Sequence, residues 1–272
     1  MTYEGGRLQA DCEQCFGLCC VAPAFAASVD FAINKPAGHP CINLHTEFRC
    51  GIHKDLRRKG FRGCAVYDCF GAGQQVSQIT FEGRDWRADP GTAEAMFEVF
   101  SVMRQLHELL WFLSAAMALP PALPLHKQLR HAFEVTEGMT YKRVEDLLAL
   151  DVGAHRVDVN ELLTHASELV RAGVPGAKLD RRGADLIGAC LDGADLSGAN
   201  LRGAFLIGTG LSGADLRFAD VIGADFRDAD LRDADLTDTL FLLQSQLDAA
   251  KGNAATRLPP SLSRPPHWSA ST

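Results

Sequence analysis

The chain has no apolar run long enough to cross a bilayer. Its most apolar stretch, residues 109–119, is about half of the ~20 residues that a spanning helix needs, and His107, Glu108 and Pro120 bound it. It reads as a buried helix, and no membrane partner is expected. The start MTYEGGRLQADCEQC lacks a basic segment followed by an apolar stretch, so no secretory signal is read and a cytoplasmic location is expected. An excess of positive charge is missing too. The formal net charge of −7 argues against generic attraction to nucleic acid or anionic membranes. There is no serine–histidine triad motif, phosphate loop or H-E-x-x-H to name a chemistry. The segment FGAGQQVSQ holds Gly71 and Gly73 without G-x-G-x-x-G spacing, so nucleotide binding is not supported.

What the chain does have is a repeat. From Ala184 onward it reads ADLIG ACLDG ADLSG ANLRG AFLIG TGLSG ADLRF ADVIG ADFRD ADLRD ADLTD, eleven pentads in phase. The centres run from Leu186 to Leu236, with Val221 and Phe226 the exceptions to leucine. Two residues earlier stands alanine, except at Thr209. A period of five suits neither a helix nor a strand and demands a corner in every repeat. Much of the acidity lies here: residues 180–250 carry thirteen Asp against six Arg. This segment resembles the pentapeptide-repeat family, over residues 177–269. The resemblance implies a right-handed quadrilateral β-helix with four pentads per coil. An irregular turn over 177–180, centred on Leu179, is expected as the first corner before Arg181 and Arg182 shift the phase.

Eight of the nine cysteines fall within residues 12–69. They read C-x2-C-x3-C-C (Cys12, Cys15, Cys19, Cys20), then Cys41, then C-x2-H (Cys50, His53), then C-x4-C (Cys64, Cys69). Thiolates this close in sequence can converge on a soft or borderline cation, and without one the segment would have little core. Eight could complete two four-cysteine zinc sites or ligate iron–sulfur clusters, with His53 able to replace a cysteine. His39 and His45 read as surface or hydrogen-bonding residues, and Cys190 as an outward-facing repeat residue. The stretches CEQCFGLCC, AGHPCINL, FRCGIH and GCAVYDC resemble the YkgJ-type domain over residues 12–70. That resemblance implies a zinc- or iron-chelating module. Zinc leads, with iron or an iron–sulfur cluster as the alternative. Lys54, Arg57, Arg58, Lys59 and Arg62 form a basic strip that reads as a solvated face.

Between cysteines and repeat, residues 90–173 read as helices. Asp89-Pro90 signals a start and Pro120-Pro121 an end. Further helices are expected over 123–133 and 140–150, and a fourth is expected to start at an Asp158/Glu161 capping box and stop at Gly173. The expected architecture is mixed. A Cys-rich metal-binding module spans 1–76, a helical domain capping the solenoid 77–173, the β-helix 174–243, and a C-terminal cap and tail 244–272. The function read from these parts is a metal-binding pentapeptide-repeat protein acting as an interaction or scaffold module for a protein partner. Two other readings compete: a metal- or iron–sulfur-dependent redox or modifying enzyme, and a DNA mimic that binds gyrase. Against the last, the repeat is only about 13 Å long at the ~4.8 Å spacing of stacked strands, and nucleic acid itself is not an expected partner.

Overall fold

Up to Thr80 the chain forms only short elements, because its glycines, prolines and cysteines interrupt both regular periods. The computed structural model describes residues 6–176 and 179–270. It places 3-10 turns at Cys12–Gln14 and His53–Asp55 and brief helices at α1 (Leu18–Val21), α2 (Arg62–Ala65) and α3 (Ala72–Gln74). A π-helical turn, Gln75–Thr80, continues α3. The proline-led turn Pro90–Thr92 then opens α4 (Ala93–Met117), followed by α5 (His126–Met139), α6 (Val144–Leu148) and α7 (Val152–Ala172). Two compact units result: Met1–Ala118 with Pro124–Leu163, and Leu119–Leu123 with Thr164–Thr272. Among the described residues no single helix is long and apolar enough to cross a membrane.

The apolar stripe of α4 packs as expected of a core helix. Met96, Phe100 and Met103 are at most 2 % exposed, and they share one cluster with Leu18 and Val21 of the cysteine segment and with Val76. Cysteine loops and helices therefore bury a common core in the first unit. The start of α7 corrects the capping-box expectation. Asp158 and Glu161 lie inside the helix, and the side chain of Asp151 accepts the Ala154 N–H at 2.9 Å instead. The residues between 151 and 158 are compatible with a helix, so the earlier acid takes the capping role.

In the second unit, residues twenty apart pair through parallel bridges. One column is Asp180, Asn200, Asp220 and Leu240; another is Asp195, Asp215, Asp235 and Arg257. Twenty residues are four pentads, so the expected repeat solenoid is present. Each pentad gives two residues to a turn and one to a bridge, and no strands form among the described residues. The coils of this solenoid are joined by single-residue parallel bridges. Leu201, Leu206 and Ala204 are fully buried. The phase does not shift at Arg181 and Arg182. Asp180 already bridges Asn200, and Arg181 takes the central slot, exposed at the start of the stack where no coil precedes it. Ala177, the expected start of that corner, lies outside the described residues.

The polar positions hold the corners. The side chains of Asp185, Asp195, Asn200, Asp215, Asp225 and Asp230 each accept the backbone N–H two residues on, at 3.0–3.3 Å. This is the local bond that makes Asp and Asn turn formers. Arg217, Arg227 and Arg232 then pair with the same carboxylates, Asp215, Asp225 and Asp230. Much of the repeat's acidity is thus consumed inside the fold. Thr209 fits the alanine slot because its hydroxyl donates to the Leu186 carbonyl at 2.7 Å. At the far end α8 (Gln244–Ala249) interrupts the register, so Asp230 bridges Lys251 and Asp235 bridges Arg257. Trp268, 2 % exposed, joins the core there, and its indole donates to the Ala250 carbonyl at 3.0 Å.

Two substitutions test this arrangement by urea denaturation. Gly203 sits at φ +63° with nothing within 4 Å of an added Cβ, so Gly203→Ala introduces backbone strain alone and is expected to cost about 1–2 kcal/mol. Asp220, fully buried, pairs with the Arg202 guanidinium at 2.9 Å. Asp220→Ala leaves that cation buried without its carboxylate and is expected to cost about 3–5 kcal/mol.

Candidate metal centre

The cysteine loop is fixed by side chains that reach main-chain groups. Gln74 accepts the Asp11 N–H at 3.1 Å and donates to the Gln9 carbonyl at 2.7 Å; Gln78 donates to the Gln14 carbonyl at 2.8 Å. The Ser77 hydroxyl accepts the Phe16 N–H, and the Trp86 indole donates to the Phe16 carbonyl at 2.9 Å. FGAGQQVSQ, unassigned by sequence, is therefore the clamp on C-x2-C-x3-C-C. Its glycines have a steric reason: a Cβ at Gly71 would lie 2.1 Å from the Arg7 carbonyl oxygen, and one at Gly73 would lie 2.6 Å from the Cys15 sulfur.

Within this frame the cysteines lie in two neighbourhoods, one around Leu56 and Phe61 and one around Gly73. Cys20, Cys41, Cys50 and Cys64 gather in one small apolar cluster around Leu56 and Phe61. Cys41 donates its backbone N–H to the Cys20 carbonyl at 2.9 Å, and the Cys20 and Cys50 thiols are hydrogen-bonded. Cys12, Cys15 and Cys19 each feel the charge of Cys69, and Cys12 and Cys19 feel that of Cys20 as well. Cys15 and Cys69 both face Gly73. The neighbourhoods meet where the adjacent Cys19 and Cys20 thiols hydrogen-bond to each other, a contact that raises the first and lowers the second. His53 stands exposed on its 3-10 turn, outside both neighbourhoods. Among the described residues no three His, Cys, Asp or Glu side chains stand in a ligating arrangement.

The donor chemistry fits a thiophilic cation. Backbone amides of Gly73 and Gly71 point at the Cys69 sulfur, those of Leu18 and Gly17 at Cys15, and that of Ile52 at Cys50. Such bonds favour the thiolate, the form that binds metal. Burial acts the other way, pushing Cys15 up to about 11 and Cys64 to about 12, and raising Cys12, Cys50 and Cys69. These sulfurs are therefore poor nucleophiles at neutral pH until a cation offsets the burial.

Two cations attend the cysteines, and residues 12–50 contain no other Lys or Arg. Arg49 donates to the Cys12 and Glu13 carbonyls. Lys35 lies beside Cys41, Cys20 and Cys64; burial lowers its pKa while those sulfurs raise it. Sequence reading passed over both residues, although their isolation among the cysteines was visible. Of the weaker histidine candidates, His39 faces the Ala37 carbonyl through Nδ1, and His45 packs on Gly51. Cys190 is exposed in the solenoid, and in the basic strip Arg58 pairs with Asp55.

The profile of the pentapeptide repeats matches this chain in eight copies, over residues 182–217 and 211–241. The chain is also 61% identical over 264 residues to YybG of Bacillus subtilis (strain 168), itself described as uncharacterized; the match covers 96% of this chain and 95% of that protein. The chain belongs to the YybG family. Solved pentapeptide-repeat proteins are similar over about a third of its length. One from the Arabidopsis thaliana thylakoid lumen is 27% identical, covering 35% of this chain and 67% of its own at a TM-score of 0.27. Another, alr5209 of Nostoc, is 29% identical, covering 35% and 84% at a TM-score of 0.22. The YybG match spans the cysteine segment as well as the repeat, so the two parts occur together in this family.

Gly73→Ala checks the geometry around Gly73 without reference to metal. Its Cβ is expected to push the Cys15 sulfur out of place and speed Cys15 labelling by a thiol reagent several-fold relative to Cys41. Unchanged labelling would put the Cys15 side chain elsewhere.

Proposed function

We propose that this protein is a metal-binding pentapeptide-repeat protein, in which the N-terminal cysteines hold two zinc ions and the solenoid offers an interaction surface to a protein partner. What supports the metal reading is the gathering of Cys20, Cys41, Cys50 and Cys64 in one apolar cluster, which leaves Cys12, Cys15, Cys19 and Cys69 as a second four, the complement of a closed structural zinc site. Cys12, Cys15, Cys19 and Cys69 hold one ion, and Cys20, Cys41, Cys50 and Cys64 the other. With four sulfurs in each set, His53 is not needed as a ligand. When bound, the ions cross-link loops that lack long helices or strands, so metal binding and folding of the segment are linked. The YkgJ-type resemblance of residues 12–70 agrees with this reading.

The partner reading rests on the solenoid's outer wall. Phe205 replaces an acid in the column Asp185, Phe205, Asp225 and is 48 % exposed, and Ile187, 56 % exposed, stands on the same wall. An aromatic and a branched aliphatic side chain, with the half-buried Ile207 stacked beside Ile187, suit contact with another protein. A cytoplasmic location, where thiols stay reduced, belongs to the same proposal.

Metal analysis and a visible spectrum of protein purified without oxygen test the metal reading. Two zinc ions per chain and no colour are expected. A brown protein that bleaches on reduction would replace zinc with iron–sulfur chemistry and favour the redox or modifying-enzyme alternative. A folded, metal-free protein would overturn the metal reading in either form.

A further inference from the structure

The two most exposed large apolar side chains among the described residues stand in the cysteine loops, Val29 at 81 % and Ile42 at 79 %. Val29 is at the tip of a turn in which the Ser28 N–H donates to the Phe31 carbonyl at 2.9 Å, beyond the antiparallel bridge of Phe25 and Lys35. Ile42 follows Cys41 in a second turn, closed by the Leu44 N–H on the Cys41 carbonyl at 2.9 Å.

Both turns lie against the basic strip. The Gly63 N–H donates to the Asp30 carbonyl at 3.0 Å, and a Cβ at Gly60 would lie 3.1 Å from that of Ala32, so the Val29 turn meets the end of the strip. The Gly51 N–H donates to the Asn43 carbonyl at 2.8 Å, which brings the Ile42 turn to its start. Beneath them Phe31, Cys41, Ile52, Leu56 and Phe61 share one apolar cluster.

Residues 53–62 carry five Lys and Arg against Asp55 alone. Arg58 pairs with Asp55 at 2.8 Å, whereas Lys54 and Lys59 are exposed and form no ion pair among the described residues. The chain's net charge of −7 does not oppose this local excess. Of 27 Lys and Arg and 34 Asp and Glu, residues 180–250 hold six and thirteen, which leaves 21 of each sign elsewhere. The negative charge therefore belongs to the solenoid.

Exposed aliphatic tips beside lysines suit an anionic lipid surface, where ammonium groups sit among headgroup phosphates and apolar tips enter the interface. A nucleic-acid strand would call for open rings on which its bases stack. Here Phe25 and Phe31 stack on each other at 4.4 Å and Phe61 packs edge-on against Phe25, so the phenyl rings are engaged with one another. We propose that the face formed by Val29, Ile42, Lys54, Arg58 and Lys59 docks the cysteine segment on an anionic phospholipid bilayer. The contact is peripheral and needs no spanning helix.

Flotation of the full chain with phospholipid vesicles tests this. Binding is expected to phosphatidylcholine containing about a third phosphatidylserine and not to phosphatidylcholine alone. Sodium chloride at about 0.5 M should release the protein, because the lysine contacts are exposed to screening. Lys54→Gln with Lys59→Gln, and separately Val29→Ser with Ile42→Ser, are each expected to weaken binding roughly tenfold. All four side chains are exposed, so the urea midpoints should not move. Failure to bind the anionic vesicles overturns the proposal, as does unchanged binding by both paired variants. Inorganic phosphate that releases the protein better than sodium chloride of equal ionic strength would mark a free-anion site and overturn it. Binding to single-stranded RNA in place of vesicles, lost in the lysine pair, assigns the face to nucleic acid and overturns it as well.

Discussion

Main-chain polar groups that have no long helix or strand to join must be bonded by something else, and both units depend on how side chains meet that demand. In the solenoid the answer is periodic: one carboxylate or amide oxygen per corner accepts the N–H two residues on. In the cysteine segment it is irregular. Arg49, Gln74, Gln78, Trp86 and Lys35 each reach carbonyls that loops leave open. Much of the chain's acidity follows from the first solution, because aspartate forms the turn and arginine then offsets its charge.

The same demand explains why charge and function are hard to separate here. Asp215, Asp225 and Asp230 add to the negative charge of the repeat, yet each holds a corner and an arginine. What distinguishes the solenoid wall is the replacement of that machinery, as at Phe205, rather than its repetition. A buried pair such as Arg202 and Asp220 belongs to the internal group as well.

The pentad was legible because one residue type recurs at one spacing for eleven turns. The continuation of its phase through Arg181 was not, since an arginine in the central slot breaks the apolar pattern while the backbone still pairs. The helix start at Asp151 was masked by a better-looking acid pair seven residues on. In the cysteine segment the residue types were legible and their neighbourhoods were not. Cys19 and Cys20 are adjacent, but on α1 successive side chains diverge by about 100°, so only Cys20 enters the cluster around Leu56 and Phe61. Cys69 meets Cys15 across Gly73, a contact that depends on the clamp and on no local spacing.

The break in register at α8 has a consequence for assembly. A stack of parallel bridges is a template, and its last coil would present unpaired amides and carbonyls to the first coil of another molecule. Here the bridging partners of Asp230 and Asp235 are Lys251 and Arg257, and α8 and Trp268 cover the apolar interior beneath them. End-to-end polymerisation through that face is thereby blocked.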